Sequence, residues 1–505
     1  MNQKKAGIIL SYLSEAIKIL SSLLYTPIML RLLGQSEYGL YQLVHSVVSY
    51  LSLLSLGFTA AYVRYYSRFK AEDNEEEISR LNGMFLTIFS IIALIAVICG
   101  AVMINNIEGI FSSGLTVEEY GKARILMALM IFNLALTFPN SVFTCITGAH
   151  EQFFFQRMLT VLQNLLNPFL TLPILLMGYG SVGMVAVTTV LTIAKVIANV
   201  YYVFHKMHEK FIFSHFKLSL FKDIWGFTFF IFLNQIIDQL NWSVDKFMLG
   251  RYLGTAAVAI YGLGSQINTM YKQFSTSISS VFVPQVNGIV AKNNDNHELS
   301  NVFIKVGRVQ FIILWLVLSG FIFFGKPFMY FWGGNGYEDS YYIALLLIIP
   351  VTVPLIQNIG VEIQRAKNMH KTRSVVYFFI AIGNVILSYF LIQTMGGIGA
   401  AWGTAISLFV GNILFMNWYY DKRIGLEIVR FWKNIISFVP SLILPAVIGF
   451  LIMKFIAIKN LLSLVLFAVL YAVVYTVSMW LWGMNESEKG LLLGSIRKIE
   501  NRLSK

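Results

Sequence analysis

Charge is scarce in this sequence. Only 12% of its 505 residues are Asp, Glu, Lys or Arg, about half the share in a soluble globular domain. That shortage excludes a chain surrounded by water: 57% of the residues are hydrophobic and the mean hydropathy is +0.69. Cysteine is nearly absent. Cys99 and Cys145 both lie in apolar segments, which excludes a disulfide framework and a thiolate metal site and leaves two small core hydrophobes. No GxxxxGK[ST] loop occurs, so ATP hydrolysis by that route is excluded. Long polar insertions are also missing. The longest outward loops, about 105–122 and 332–340, hold fewer than 20 residues. That disfavours a membrane enzyme with an outward catalytic loop, and the chain is not expected to be an enzyme. Glu118, Glu119, Glu338 and Asp339 in these loops read as solvated helix ends. No cleavable leader is expected, because the first apolar stretch is too long and is interrupted by Glu15 and Lys18.

Apolar segments long enough to cross a bilayer fill the chain instead; roughly 20 residues suffice. About fourteen helices are expected, near 8–30, 39–63, 81–104, 123–146, 158–177, 182–204, 226–250, 257–283, 306–331, 341–362, 375–394, 398–420, 434–456 and 461–482. The first, seventh and eighth are the least apolar. The expected class is an all-α integral membrane protein. Its net charge of +13 is unevenly placed. With the N-terminus on the cytoplasmic side, 27 of the 38 Lys and Arg fall in cytoplasmic segments and 7 on the other side, with four inside helices. This asymmetry orients the chain in the cytoplasmic membrane with both termini inside. It makes the positive charge an orientation signal and not a nucleic-acid surface.

An internal repeat is legible. Arg31-Leu32-Leu33-Gly34 with Tyr41 answers Arg251-Tyr252-Leu253-Gly254 with Tyr261, 220 positions on. Asn167 answers Asn384, and Asn199-Val200-Tyr201-Tyr202 answers Asn417-Trp418-Tyr419-Tyr420, at nearly the same offset. A six-helix unit used twice is the reading, in the same orientation because six is even. The expected organisation is an N-terminal lobe over 1–210, a second over 211–425, and two further helices with a basic tail over 426–505. Parallel lobes around a central cavity are a transporter plan.

Polarity concentrates where such a cavity would need it. In the seventh helix Asn234, Asp238, Asn241 and Asp245 step by four, three and four, which places them on one helix face. Gln235, Gln239, Trp242 and Lys246 run beside them. A charge in hydrocarbon costs at least about 2.5–3.5 kcal/mol, so such groups normally face a bundle interior or water. The first helix adds Ser11, Glu15, Lys18 and Ser22. The second adds Tyr38, Gln42, His45, Ser49 and Ser52, and the eighth Ser265, Thr269, Lys272, Thr276 and Ser279. Plainer readings stand beside these. Glu15 and Lys18 could neutralise each other, Lys246 could snorkel, and Arg64 could be an orientation charge. Arg31 and Arg251 could anchor helix ends, and His45 could be a packing histidine. Asp238 and Asp245, two turns apart in one span, are the hardest to explain without cation binding or protonation.

Three stretches resemble one family. Leu32 to Ser67 (LLGQSEYGLYQLVHSVVSYLSLLSLGFTAAYVRYYS), Ile237 to Ile267 (IDQLNWSVDKFMLGRYLGTAAVAIYGLGSQI) and Ile359 to Ser407 are similar to segments of bacterial polysaccharide-unit flippases. These are the Wzx-like members of the multidrug/oligosaccharidyl-lipid/polysaccharide exporter superfamily. The resemblance covers nearly the whole chain. It implies alternating access and a substrate of oligosaccharide units on undecaprenyl diphosphate, turned from the inner to the outer leaflet for surface polysaccharide synthesis. It implies basic residues to meet the diphosphate, here Lys18, Arg31, Arg64, Arg251 and Lys272. The acids Glu15, Asp238, Asp245 and Glu362 are then candidates for a coupling H+ or Na+, and Gln42, His45, Asn234, Asn241 and Thr269 for polar lining. No cofactor is expected. The partners are the lipid-linked substrate, the bilayer and polysaccharide assembly proteins, and the chain is expected to act as a monomer. A cation-coupled drug exporter and a peptidoglycan-precursor flippase share the implied fold and stay open.

Overall fold

The computed structural model describes residues 3–111, 114–214 and 218–490, helical almost throughout. Lys217 and the tail residues Arg497, Lys498, Arg502 and Lys505 lie outside the described residues, as do the side chains of Lys4, Lys5, Ser11 and Lys222. In chain order the helices are α1 (Gln3–Leu33), α2 (Gln35–Ser49), α3 (Phe58–Ala71), α4 (Glu75–Asn105), α5 (Ile107–Phe111), α6 (Val117–Ala149), α7 (Phe153–Leu176) and α8 (Gly180–Tyr201). There follow α9 (Leu218–Trp242), α10 (Val244–Leu253), α11 (Thr255–Ser279), α12 (Val283–Lys292), α13 (Asn296–Gly333), α14 (Asp339–Ile356) and α15 (Asn358–Ala366). The last are α16 (His370–Leu408), α17 (Met416–Tyr419), α18 (Ile428–Ile436), α19 (Val439–Phe455) and α20 (Leu461–Ser478). Among the described residues nine helical runs are long and apolar enough to cross a membrane, ten if the bent pair α18 and α19 is one span. One run, Lys371–Ile424, is 54 residues long and bends at Gly396, where φ is 58°. Runs α1, α9 and α11 are not among those nine.

Local sequence sets the boundaries. Asn74 and Asp295 accept from the backbone of Glu77 and His297 at the starts of α4 and α13. Thr116 with Glu119, and Asn460 with Ser463, form reciprocal caps that satisfy otherwise orphaned N–H groups. Several expected helices are broken. The second is interrupted over Tyr50–Ser55, where Leu56 and Gly57 turn left-handed. The seventh breaks at Ser243 into α9 and α10, and the tenth at Gln357 into α14 and α15.

The repeat recurs in backbone conformation. Gly34 and Gly254 both take positive φ with extended ψ (77°, 168° and 84°, −177°), a region open essentially to glycine. At offsets between 217 and 221, Asp73 answers Asn294, Glu151 answers Asn368 and Gly178 answers Gly396, each pair left-handed at both positions. Wide π-helical turns recur at Tyr202–Lys206 and Tyr420–Ile424. Asn199 Nδ2 donates to Asn140 Oδ1 at 2.9 Å, and at the matching positions Gln357 Nε2 donates to Asn417 Oδ1 at 2.9 Å.

The chain groups into two compact units, one of residues 1–262 and 377–400 and the other of 263–376 and 401–505. In a bilayer, apolar surface gains little by leaving lipid, so close packing and hydrogen bonds hold helices together. In the first unit Phe58, Tyr62, Phe85, Phe89 and Phe143 pack into an aromatic core. Its helices also approach at glycines. A methyl group at Gly39 would lie 1.9 Å from the carbonyl oxygen of Thr255, and one at Gly114 would lie 1.9 Å from that of Gly250. In the second unit Arg308, buried on α13, holds the C-terminal helices. It donates to Glu488 at 2.5 and 3.0 Å and to the carbonyls of Asn434 and Gly483, and it stacks 4.2 Å from the centre of the Phe438 ring.

Candidate functional site

The junction of α9 and α10 gathers Gln239, Asn241, Asp245 and Lys246. At Ser243 φ widens to −116°, and α10 begins with Asp245 in its first turn. Four fastenings hold the break. Gln239 Nε2 donates to Ser49 Oγ on α2. Asn384 Nδ2 on α16 donates to Asn241 Oδ1 at 3.2 Å. Tyr261 OH on α11 donates to Asp245 Oδ2 at 2.5 Å. Lys246 Nζ donates to Gln42 Oε1 at 3.0 Å, while Gln42 Nε2 donates to Tyr38 OH at 2.8 Å. Asp245 is only 1% exposed. Lys246 is half-buried and does not snorkel free; its ammonium is tied to an amide on α2. A carboxylate and an ammonium are thus adjacent in sequence and held by different elements, α11 and α2. This is a place where protonation or cation binding would be felt by two helices at once.

The other expected residues are spread more widely. His45 and Asp238 are exposed, and Asn234 is half-buried. Lys18, Arg31 and Arg64 are exposed. Glu15 is half-buried, with one carboxylate oxygen buried and unpaired among the described residues. Arg251 donates to the carbonyls of Ile110 at 2.8 Å and Gly109 at 3.3 Å, closing the end of α5. In the second unit Lys272 is half-buried and Thr269 exposed, its hydroxyl bonded to the Ser265 carbonyl. Glu362 pairs with Arg365 at 2.7 Å, one turn away.

Several participants escape a reading by composition. Tyr261, Ser49 and Asn384 complete the α9–α10 break; Tyr261 and Asn384 carried a signal only as members of the repeat, and Ser49 only as part of the second helix's polar stripe. Glu119 departs from the solvated helix end expected. Its Oε1 accepts from Ser36 at 2.6 Å and Thr255 at 2.8 Å, hydroxyls from the starts of α2 and α11. Beside the break lies an apolar cavity of about 770 Å³, lined in part by Val47, Val244, Phe247 and Tyr389. At the opposite helix ends His150 bonds Glu209 at 2.9 Å and Tyr66 at 2.8 Å, and Asn82 Nδ2 donates to Glu209 at 3.1 Å. Burial opposes a charge on His150, but its bonds to Glu209 and to the Ile146 carbonyl outweigh that and raise its pKa. No cluster of three or more metal-binding side chains occurs among the described residues.

Comparison with known proteins agrees with this architecture. The family model described as "Polysaccharide biosynthesis protein" matches residues 5–290. An uncharacterized membrane protein, EpsK of Bacillus subtilis (strain 168), is 22% identical over 497 residues, covering 97% of each chain. A putative O-antigen transporter of Shigella flexneri is 21% identical over 402 residues, 77% of this chain and 91% of that one. Among solved structures, one titled "Lipid II flippase MurJ, inward closed conformation" superposes with a TM-score of 0.70 at 16% identity, covering 93% of this chain and 97% of that one. That likeness establishes the fold.

Proposed function

The chain belongs to the polysaccharide biosynthesis protein family, and on that premise we propose that it is a flippase for lipid-linked oligosaccharides. It carries repeat units on undecaprenyl diphosphate from the inner to the outer leaflet of the cytoplasmic membrane, by alternating access, for surface polysaccharide synthesis. The observation that carries the reading is the fastened polar break at Asp245 and Lys246, which lies inside the matched segment. A structural protein gains nothing from a buried carboxylate beside an ammonium in hydrocarbon, whereas a transporter uses such groups to couple an ion to a conformational change. The printed name of one relative, an O-antigen transporter, points to glycan cargo over small cationic drugs.

In this reading Asp245 takes the coupling H+ or Na+. Release of its Tyr261 bond would free α10 from α11. The exposed Lys18 and Arg64 meet the diphosphate through charge-assisted hydrogen bonds, which are strong and short. The orientation, with both termini cytoplasmic, rests on the charge asymmetry of the loops.

The test is the leaflet of the lipid-linked oligosaccharide in a depletion strain lacking other flippases, with the parent chain or Asp245→Asn restored. Depletion should trap the glycolipid on the cytoplasmic leaflet and the parent should release it. Asp245→Asn should abolish the dependence of release on the ion gradient. Normal crossing after depletion would sink the sugar reading. Trapping of the peptidoglycan precursor instead would redirect it to the cell-wall branch of the same fold.

A further inference from the structure

The two copies of the repeat carry the same loops at one end, with opposite charge. In the first copy the cognate positions are Asp73, Glu75, His150, Glu151 and His205; in the second they are Asn294, Asn296, Lys367, Asn368 and Arg423. Backbone geometry makes the correspondence. Asp73 and Asn294 both have φ near 50°, Glu151 and Asn368 have φ of 57° and 55°, and π-helical turns include both His205 and Arg423. Three carboxylates and two histidines have become three amides and two cations with no change of fold.

In the second copy all five residues line one cavity of about 450 Å³, within the size range of small-ligand sites. It lies in the second unit at the ends of α12 and α15 and the start of α13. We propose that this cavity binds a phosphate group. Lys367 Nζ spends two of its three donors on Asn296 Oδ1 and the Ile424 carbonyl, which leaves one for a ligand. Arg423 is exposed and makes no hydrogen bond or ion pair among the described residues. The amides of Asn294, Asn296 and Asn368 supply N–H donors without negative charge, and Lys and Arg supply the charge-assisted bonds that phosphate oxygens favour. Carboxylates adjoining in sequence are occupied. Asp295 caps α13, Glu427 pairs with His297 and Arg430, and Asp421 pairs with Lys422. In the first copy the same shell would repel an anion. Basic pockets at helix ends on the cytoplasmic side suit anionic headgroups, and a soluble phosphate ester offers the same chemistry.

The experiment uses the purified full chain and reads binding, so it stands or fails independently of the flipping assay. Inorganic pyrophosphate is titrated in neutral detergent. Retention of phosphatidylglycerol is followed by native mass spectrometry after extraction from nanodiscs of phosphatidylcholine with phosphatidylglycerol. Arg423→Gln removes a side chain with no described partner. Asn368→Glu restores the first copy's residue at a backbone angle that Glu151 already adopts. Arg423→Lys keeps the charge and serves as the control for folding. Pyrophosphate binding weakened about tenfold or more by both variants, and largely kept by Arg423→Lys, identifies a soluble phosphate ligand. Phosphatidylglycerol retained by the parent and lost by both variants identifies a lipid headgroup. If both variants bind both probes as the parent does, or the parent binds neither, the proposal is overturned.

Discussion

Lys246 shows how a single residue can carry a prediction. Its ammonium has Gln42 Oε1 as a fixed partner in the membrane region. Gln42→Leu removes that acceptor and also the donor to Tyr38. Leaving a buried polar group unsatisfied costs about 1–3 kcal/mol, more for a charge. Thermal unfolding in detergent should therefore shift down for Gln42→Leu. Adding Lys246→Met should recover part of the loss, because both partners are then apolar. If Gln42→Leu unfolds with the parent, the bond contributes nothing. The alternation of polar residues along α9 and α10 was visible in the sequence. The partners were not, since Gln42 lies some two hundred residues from Lys246 and periodicity within one helix says nothing about which neighbour faces it.

At the scale of elements, the connection after α8 offers a titratable hold. Residues 207–214 are pinned by His150 to Glu209, by Asn82 to Glu209, and by the Ile212 N–H to the Ser79 carbonyl. Lys70 is the nearby cation that opposes charge on His150. The pKa of His150 is raised in the folded chain, so its contribution is fully present below the unfolded value of about 6.5 and is lost as pH rises through the folded value. Amide exchange in 207–214, corrected for the intrinsic rate, should therefore accelerate as pH rises through that window. His150→Gln should flatten the profile, and an unchanged profile in that variant would remove the histidine from the account. The helices on either side were legible from hydropathy. The pinning was not, because it depends on side chains from α3, α4 and α6 meeting at one point.

At the scale of the whole molecule, Arg308 ties three stretches of the second unit together: α13, the end of α18, and the segment after α20. It forms a buried clasp with Glu488. Removing one partner of a buried pair typically costs about 3–5 kcal/mol, because the other charge is left uncompensated. Arg308→Met should lower the melting temperature and expose residues near 483–489 to protease, while Arg308→Met with Glu488→Leu should be milder. Equal protease resistance in parent and single variant would deny the clasp its role. The internal repeat also belongs to this scale. Its short sequence matches became recurrent backbone angles and hydrogen bonds, from Gly34 with Gly254 to Asn140 with Gln357.

The sequence by itself determined that this is a helical membrane protein of repeated design. Both features follow from short-range physics: hydrocarbon demands long apolar helices that satisfy their own backbone, and a glycine-only backbone angle must be encoded locally, as at Gly34 and Gly254. Tertiary structure decided where those helices break and which polar side chains meet. It bonded Asp245 to Tyr261 and Lys246 to Gln42, turned Glu119 from a loop charge into a shared acceptor, and gathered Lys367 and Arg423 around one cavity. Such pairings depend on which distant helices pack together, and in lipid that choice is made by close glycine contacts and hydrogen bonds, which leave little periodic trace along the chain.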